Sequence, residues 1–169
     1  MPDVRVPEIV DAWRMVAERR RFEDECPLAD MSRLLGSLAD SEGICRFSLE
    51  FGRDSLQVPL VELRIETDLP LICQRSLRRF LFPVRLVQRL GMIRQEVDEA
   101  ALPAGYEPLL VPANGELSPK ALVEDELVLA LPVVPIAPDS EPVRQDWAPD
   151  EQERQAVSPF AVLTMLKKN

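Results

Sequence analysis

The sequence contains no histidine, the residue most often used as a general base and as a metal ligand. Catalytic triads of the Ser-His-Asp type are therefore excluded. Its 3 cysteines, Cys26, Cys45 and Cys73, are odd in number and widely spaced, which indicates a reducing compartment rather than a disulfide framework. No phosphate-binding loop and no dinucleotide fingerprint occurs. We expect a protein that is not an enzyme and that holds neither a cofactor nor a metal ion.

Long hydrophobic runs and an excess of positive charge are also missing. No apolar stretch reaches the roughly 18 residues of a membrane-spanning helix, and the N-terminus lacks the basic-then-apolar pattern of a signal peptide. We therefore expect a cytoplasmic protein without a membrane partner. The formal net charge of −9 at pH 7 argues against nonspecific coating of nucleic acid, but it leaves room for a local basic patch.

Apolar residues are abundant enough for a packed core, since they make up 46% of the 169 residues. Their helical spacing predicts two N-terminal helices, over residues 7–20 and 28–39. A third helix is predicted over residues 118–131, because Ser118 is a favourable N-cap and Pro119 fits the first helical position. The C-terminal half of that helix is apolar on every side and must be covered.

Between these helices, apolar and polar residues alternate. The alternation predicts three strands, over residues 43–51, 58–73 and 77–89, which form an antiparallel meander with one apolar and one solvated face. A two-residue turn at Gln74-Arg75 aligns the apolar faces of the last two strands and predicts Ile65 opposite Val84.

Proline restricts where the third strand can lie. Pro83 has no amide to donate to a neighbouring strand, so we expect an edge position or a bulge there. Residues 95–104 form either a loop or a short acidic helix, and residues 106–111 are compatible with a further strand.

These elements together predict an α+β fold. An antiparallel β-meander or a partly closed barrel packs with the N-terminal helices and with the helix in the C-terminal half. We divide the chain into an α+β domain over residues 1–136, an acidic proline-containing linker over 137–157 and a helical tail over 158–169. The tail is too short to be stable alone, so it must dock on another surface.

A cluster of arginines is the first candidate for binding. No acidic residue occurs between Asp68 and Glu96, and guanidinium groups bind phosphates as forks. This stretch is therefore the best candidate for contact with RNA. The alternative is a solvated strand face whose charge is partly neutralised by carboxylates of the neighbouring strand. The candidate residues are Arg75, Arg78, Arg79, Arg85 and Arg89.

Two further stretches are candidates for binding a protein partner. The first is the acidic triplet Glu124, Asp125 and Glu126, which spans too wide an arc to be buried with its apolar neighbours and must reach water or a partner. Consecutive helical side chains diverge by about 100°, so the triplet is poorly placed to chelate one metal ion. The second is an apolar stripe in the tail, which docks either on this chain or in a partner's groove. The stripe consists of Phe160, Leu163 and Leu166.

Three segments resemble a known family. The run from Val123 to Pro135, VEDELVLALPVVP, is similar to the signature of the YceD family, the large ribosomal RNA subunit accumulation proteins. Pro159–Leu163 followed by Lys167-Lys168 resembles the family's ending. Cys73-Gln74-Arg75 stands where the family has a Cys-x-Arg-Cys turn. The resemblance implies a bacterial cytosolic protein that is needed for large-subunit ribosomal RNA to accumulate.

The chain departs from that pattern in its thiols. Ser76 stands where family members often carry a second cysteine, and residues 137–142 contain none of the Cys or His residues found downstream in the family. A zinc site requires about four such ligands. We therefore interpret Cys73 as a strand-end residue on the apolar face.

The residues and the resemblance support three functional hypotheses. The first is a non-enzymatic ribosome-biogenesis factor that promotes accumulation of 23S ribosomal RNA by binding precursor 23S rRNA, an early large-subunit ribosomal protein, or both. The second is a protein-only adaptor that uses the acidic triplet and the tail without touching RNA. The third is a metal-dependent nuclease built on Glu124 and Asp125.

Overall fold

The computed structural model describes residues 6–141 of the protein and contains seven strands and three α-helices in that range. The strands are β1 (Val10–Asp11), β2 (Arg21–Pro27), β3 (Ile44–Arg53), β4 (Pro59–Ile72), β5 (Arg79–Ile93), β6 (Glu107–Leu110) and β7 (Glu116–Leu117). The α-helices are α1 (Ala12–Glu18), α2 (Ser32–Leu35) and α3 (Pro119–Ala130). Two 3-10 helices occupy Leu28–Asp30 and Glu96–Ala101. Within residues 6–141, no helix is long and apolar enough to cross a membrane.

Strands β2 to β6 form one open sheet in the order β2-β3-β4-β5-β6, and β1 pairs separately with β7. Strands β2, β3, β4 and β5 are antiparallel to one another in sequence order. Strand β6 runs parallel to β5, to which it is connected through the second 3-10 helix. The predicted α+β fold with an antiparallel meander is therefore confirmed. The sheet stays open and does not close into a barrel. The residues between the two predicted N-terminal helices form the edge strand β2.

The register between β4 and β5 differs from the predicted one by two residues. Ile65 faces Leu86 rather than Val84, because the connection is longer than a two-residue turn. Residues 73–78 form this connection, which is closed by hydrogen bonds from Cys73 N to Arg78 O at 2.9 Å and from Leu77 N to Cys73 O at 2.8 Å. A shift of two residues keeps both apolar stripes on the same face, so the alternation pattern could not distinguish the two registers.

Pro83 lies where β5 has a partner on one side only. It faces Asp68 of β4, while β6 pairs only with Leu90–Ile93 at the far end of β5. The first part of β5 is thus locally an edge, a position where proline is tolerated. The predicted edge position is confirmed.

The two N-terminal helices are shorter than predicted. The first begins only at Ala12, because Val10 and Asp11 pair with β7 and Asp11 then caps α1 by accepting from Arg14 N at 3.0 Å. The predicted single helix over residues 28–39 is wrong. It is interrupted at Met31, whose backbone is not helical, and this divides it into a 3-10 turn and α2.

The C-terminal-half helix agrees with the prediction closely. Ser118 Oγ accepts from Ala121 N at 3.3 Å, and Pro119 occupies the first turn. One apolar cluster joins the inward face of the sheet to these helices. Its members include Phe47, Leu49 and Phe51 of β3, Val61, Leu63 and Ile65 of β4, Val16 of α1, Leu34 of α2, and Val123 and Leu127 of α3.

Replacing one side chain on each face of the sheet tests which face is buried. Leu63 is fully buried in β4, so Leu63→Ala should lower the free energy of unfolding by about 2–5 kcal/mol, through lost burial and the cavity left behind. Val87 of β5 is exposed on the opposite face, so Val87→Ala should change it by no more than about 0.5 kcal/mol. Chemical denaturation measures both. Equal effects from the two variants would contradict the assigned faces.

Candidate functional site

The three candidate arginines on β5 face outward, but each is paired with a carboxylate of this chain. Arg85 Nε lies 3.2 Å from Glu66 Oε1, and Arg85 Nη2 lies 3.3 Å from Asp68 Oδ1. Arg89 Nε lies 3.1 Å from Glu62 Oε2. These pairs follow from the register, in which Arg85 faces Glu66 and Arg89 faces Glu62.

Arg79 pairs with carboxylates outside the sheet. Its Nε lies 2.5 Å from Asp40 Oδ2, and its Nη2 lies 3.1 Å from Glu42 Oε2, both in the connection before β3. The guanidinium lowers the pKa of the Asp40 carboxyl through this hydrogen bond.

Charges of both signs alternate across the outer face of the sheet. In one row perpendicular to the strands, Glu25, Arg46, Glu66 and Arg85 stand side by side. Arg46 pairs with Glu25 at 3.4 Å, as Arg85 does with Glu66. This face forms an open cleft of about 680 Å³. Its arrangement matches the alternative considered above, a solvated face whose arginine charge is neutralised within the sheet.

Arg75 and Arg78 lie on the β4–β5 connection rather than on a strand. Both are exposed, and no ion pair involves either of them within residues 6–141. Arg75 Nη1 donates to Ser140 O at 3.1 Å, which ties the connection to the segment after α3. The predicted arginine group is therefore split between a neutralised strand face and an exposed turn.

The segment after α3 returns to cover this turn. Gln74 N donates to Pro135 O at 2.9 Å, and Ala137 N donates to Cys73 Sγ at 3.3 Å. We call residues 73–78 and 133–137 together the turn surface. It joins the Cys73-Gln74-Arg75 turn to the end of the VEDELVLALPVVP segment, which are two of the three stretches that resemble the YceD family.

Apolar side chains project from the turn surface. Leu77 is 76% exposed, Val133 95% and Val134 52%. Sequence reasoning missed these residues as candidates. Val133 and Val134 lie in a proline-rich extended segment, which has no periodicity that would reveal an unpartnered face. Leu77 was assigned to the start of the strand predicted over residues 77–89, whereas in the structure it lies in the connection before β5. Exposed apolar residues that lie together are typical of interaction surfaces.

The acidic triplet on α3 does not act as one surface. Glu124 is only 7% exposed and accepts from Arg33 N at 2.7 Å and Leu34 N at 3.2 Å. These amides belong to the first turn of α2, where the N-cap residue Met31 has no side-chain acceptor. Glu124 therefore caps α2 from a distant part of the chain. The prediction that the whole triplet reaches water or a partner is wrong for this residue.

The other two acids remain nearer the surface. Asp125 is exposed and pairs with the Arg33 guanidinium, which also donates to Ala121 O at 3.1 Å. Glu126 is partly buried, and burial, followed by the charges of Glu107 and Asp125, raises its pKa. The triplet thus serves mainly to fasten α3 to α2.

Cys73 lies just past the end of β4 with its side chain buried, as the strand-end interpretation predicted. Its sulfur accepts from Ser76 N at 3.4 Å and from Ala137 N at 3.3 Å. The Ser76 side chain and these backbone amides lower the pKa of the Cys73 thiol to about 6. Among residues 6–141, no group of three or more His, Cys, Asp or Glu residues could hold a metal ion. The thiol instead holds the two halves of the turn surface together.

The remaining candidates, Phe160, Leu163 and Leu166, lie outside the described residues, as do the predicted tail and most of the predicted linker. Docking of the tail therefore stays a prediction.

Removing the Glu124 carboxylate tests its capping role. Glu124→Ala should lower the free energy of unfolding by about 1–3 kcal/mol, because it leaves the buried amide of Leu34 and the amide of Arg33 without an acceptor. Asp125→Ala is the matched control on the same helix. It breaks only an exposed ion pair and should cost about 1 kcal/mol or less. A Glu124 variant as stable as the Asp125 variant would contradict the cap.

The Cys73 environment predicts a pH dependence of stability. The thiol has a pKa of about 6 when folded, against an ordinary value of 9.0, so the folded state favours the thiolate. This stabilisation is fully present above pH 9, decreases as the pH falls and is lost as the pH passes through about 6. Between these limits, stability relative to Cys73→Ala should rise with pH. Denaturation of both proteins across this range measures the difference, and a constant difference would contradict a lowered pKa.

Comparison with known proteins identifies the family. A family model described as "Large ribosomal RNA subunit accumulation protein YceD" matches residues 61–167. A relative of the same description from Haemophilus influenzae is 26% identical over 174 residues, which cover 99% of each chain. No solved structure matches the chain. Because the family model spans more than half of the sequence and includes both parts of the turn surface, the chain belongs to the YceD family.

Proposed function

We propose that the protein promotes the accumulation of large-subunit ribosomal RNA by binding an assembly partner, without catalysing a reaction. The observation that carries this proposal is the family match over residues 61–167. The description of the family and of the Haemophilus influenzae relative names large ribosomal RNA subunit accumulation, and we extend that role to this chain.

The turn surface is the contact region that the geometry supports best. Its exposed apolar residues Leu77, Val133 and Val134 belong to the same surface as the exposed Arg75 and Arg78. The buried cores of interfaces are enriched in apolar area and in arginine. The surface is also held in shape before binding, because two hydrogen bonds join its two halves. A preorganised surface loses less entropy when a partner binds.

An early large-subunit ribosomal protein is the partner that fits the charge of the chain. Ribosomal proteins are predominantly basic, whereas this chain carries a net charge of −9. Opposite net charges accelerate encounter and disfavour wrong partners. The neutralised outer face of the sheet, in contrast, has few arginines available for phosphate groups.

Direct contact with precursor 23S rRNA is the second candidate. It is favoured by one observation, the exposure of the Arg75 and Arg78 guanidinium groups without a carboxylate partner in residues 6–141. Two exposed arginines without a carboxylate partner in this range can bind phosphates and add to a protein contact at the same surface.

Variants of the turn surface test the proposal in cells depleted of the native protein. Depletion should lower large-subunit relative to small-subunit ribosomal RNA, and the unaltered chain should restore the ratio. The double variant Leu77→Asp and Val133→Asp should fail to restore it, because charge on the apolar contact prevents its burial. It should also weaken pull-down of the partner about 10-fold or more.

Leu56→Asp provides the matched control, since Leu56 is an equally exposed leucine in the β3–β4 connection at the other end of the sheet. It should restore the ribosomal RNA ratio fully. Arg75→Glu with Arg78→Glu separates the two partners: loss of RNA crosslinking with retained protein pull-down identifies the RNA contact. Unchanged large-subunit RNA after depletion would refute the proposed role altogether.

A further inference from the structure

Cys26 and Cys45 face each other across two strands at the edge of the sheet. They occupy directly opposite positions of antiparallel β2 and β3. Side chains at opposite positions point to the same face, and their Cα atoms are about 4.5–5.5 Å apart. A disulfide needs a Cα separation of about 4.4–6.8 Å, so the backbone already satisfies the main geometric requirement. Both residues are free thiols.

The two thiols differ in access to solvent. Cys45 is fully buried in the core, whereas Cys26 is only partly buried and lines an open cleft of about 470 Å³. Lys120, Asp24 and Asp30 line the same cleft. A small reagent therefore reaches Cys26 first, and Cys45 is accessible only from Cys26 itself.

The surroundings also shift the pKa values of the two thiols in opposite directions. The neighbouring Cys45 side chain lowers the pKa of the Cys26 thiol, with a smaller contribution in the same direction from the Lys120 charge. Burial and the charges of Asp24 and Asp30 oppose that shift. The neighbouring Cys26 side chain, together with burial, raises the pKa of Cys45. Cys26 is thus the more readily ionised of the two thiols.

We propose that Cys26 and Cys45 form a modification site, a dithiol that hydroperoxides oxidise to a cross-strand disulfide. The Cys26 thiolate attacks one peroxide oxygen, the O–O bond breaks, and Cys26 becomes a sulfenic acid while the other oxygen leaves as an alcohol or water after protonation. Cys45 sulfur then attacks the Cys26 sulfur, and the sulfenic oxygen leaves as water with the Cys45 proton. The peroxide is reduced by two electrons, and the two thiols are oxidised by two.

Closing this bond joins two neighbouring strands of one sheet and closes the loop between them. The residues between the two cysteines include the first 3-10 helix and α2, whose first turn is capped by Glu124 of α3. A disulfide therefore fastens edge strand β2 to β3 and closes the loop that contacts α3. This inference is independent of the proposed function, since neither cysteine belongs to the turn surface.

Cys73 provides an internal control within the same chain. Arg46, the neighbour of Cys45 on β3, faces Glu66 of β4. Cys73 lies just beyond the far end of β4. At about 3.3 Å per residue, the separation exceeds roughly 20 Å, too far for a disulfide with either of the other cysteines.

Peptide mapping of the full chain tests the proposal. The reduced protein is freed of reductant, treated with hydrogen peroxide, alkylated and digested with trypsin without reduction. Cleavage at Arg33 separates the two cysteines, so a disulfide yields a linked pair of peptides. We expect that pair to contain Cys26 and Cys45, and Cys73 to be absent from it. Conversion of Cys26 to sulfinic acid while Cys45 stays alkylatable would overturn the proposal, as would a disulfide formed only between two chains.

Two variants complete the test. Cys26→Ser should reduce the linked peptide to background, whereas Cys73→Ser should leave its yield unchanged. Phenylarsine oxide, a trivalent arsenical that requires two adjacent thiols, supplies a second measurement without oxidation. It should bind the unaltered chain and Cys73→Ser with one arsenic per chain, and it should fail to bind Cys26→Ser. Equal binding to Cys26→Ser would overturn the assignment of the dithiol.

Discussion

The burial of a single face of β4 is the constraint on which the rest of the structure depends. This strand lies at the centre of the antiparallel region, and its alternate residues Val61, Leu63, Ile65, Leu69 and Leu71 are all buried. This face belongs to one apolar cluster, to which each α-helix in residues 6–141 also contributes. The other face is left to solvent and must be polar. Because that polar face carries arginines and glutamates on neighbouring strands, opposite charges meet and neutralise each other.

Because of this charge balance, the connection at the end of the strands is a better candidate for binding than the strand face. A sheet face in which each arginine has a carboxylate neighbour offers little net attraction for phosphate. The β4–β5 connection differs, because it is covered by the segment after α3 and presents exposed apolar residues beside two arginines. The family model spans both of these pieces, which are distant in sequence but adjacent in space.

The three thiols have distinct environments, although all are free. The Cys73 sulfur accepts hydrogen bonds from two backbone amides and so joins two chain segments without a covalent bond. Cys26 and Cys45 face each other, one at a cleft and the other in the core. The odd number and wide spacing of the cysteines argued against a disulfide framework, but only the pairing of β2 with β3 reveals that two of the thiols are neighbours.

Local patterns in the sequence determined the fold class, the main strands, the faces of those strands and the capped start of α3. These features depend on the side-chain period and on Ser118 and Pro119, which act within a few residues. Tertiary structure alone decided the β4–β5 register, the break at Met31, the inward turn of Glu124 and the assembly of the turn surface. The register follows the length of the β4–β5 connection. The inward turn of Glu124 and the turn surface depend on partners far away in the chain: Glu124 accepts from the amides of Arg33 and Leu34, and Ala137 donates to Cys73. A local pattern carries no information about such contacts, because several arrangements satisfy the same period equally well.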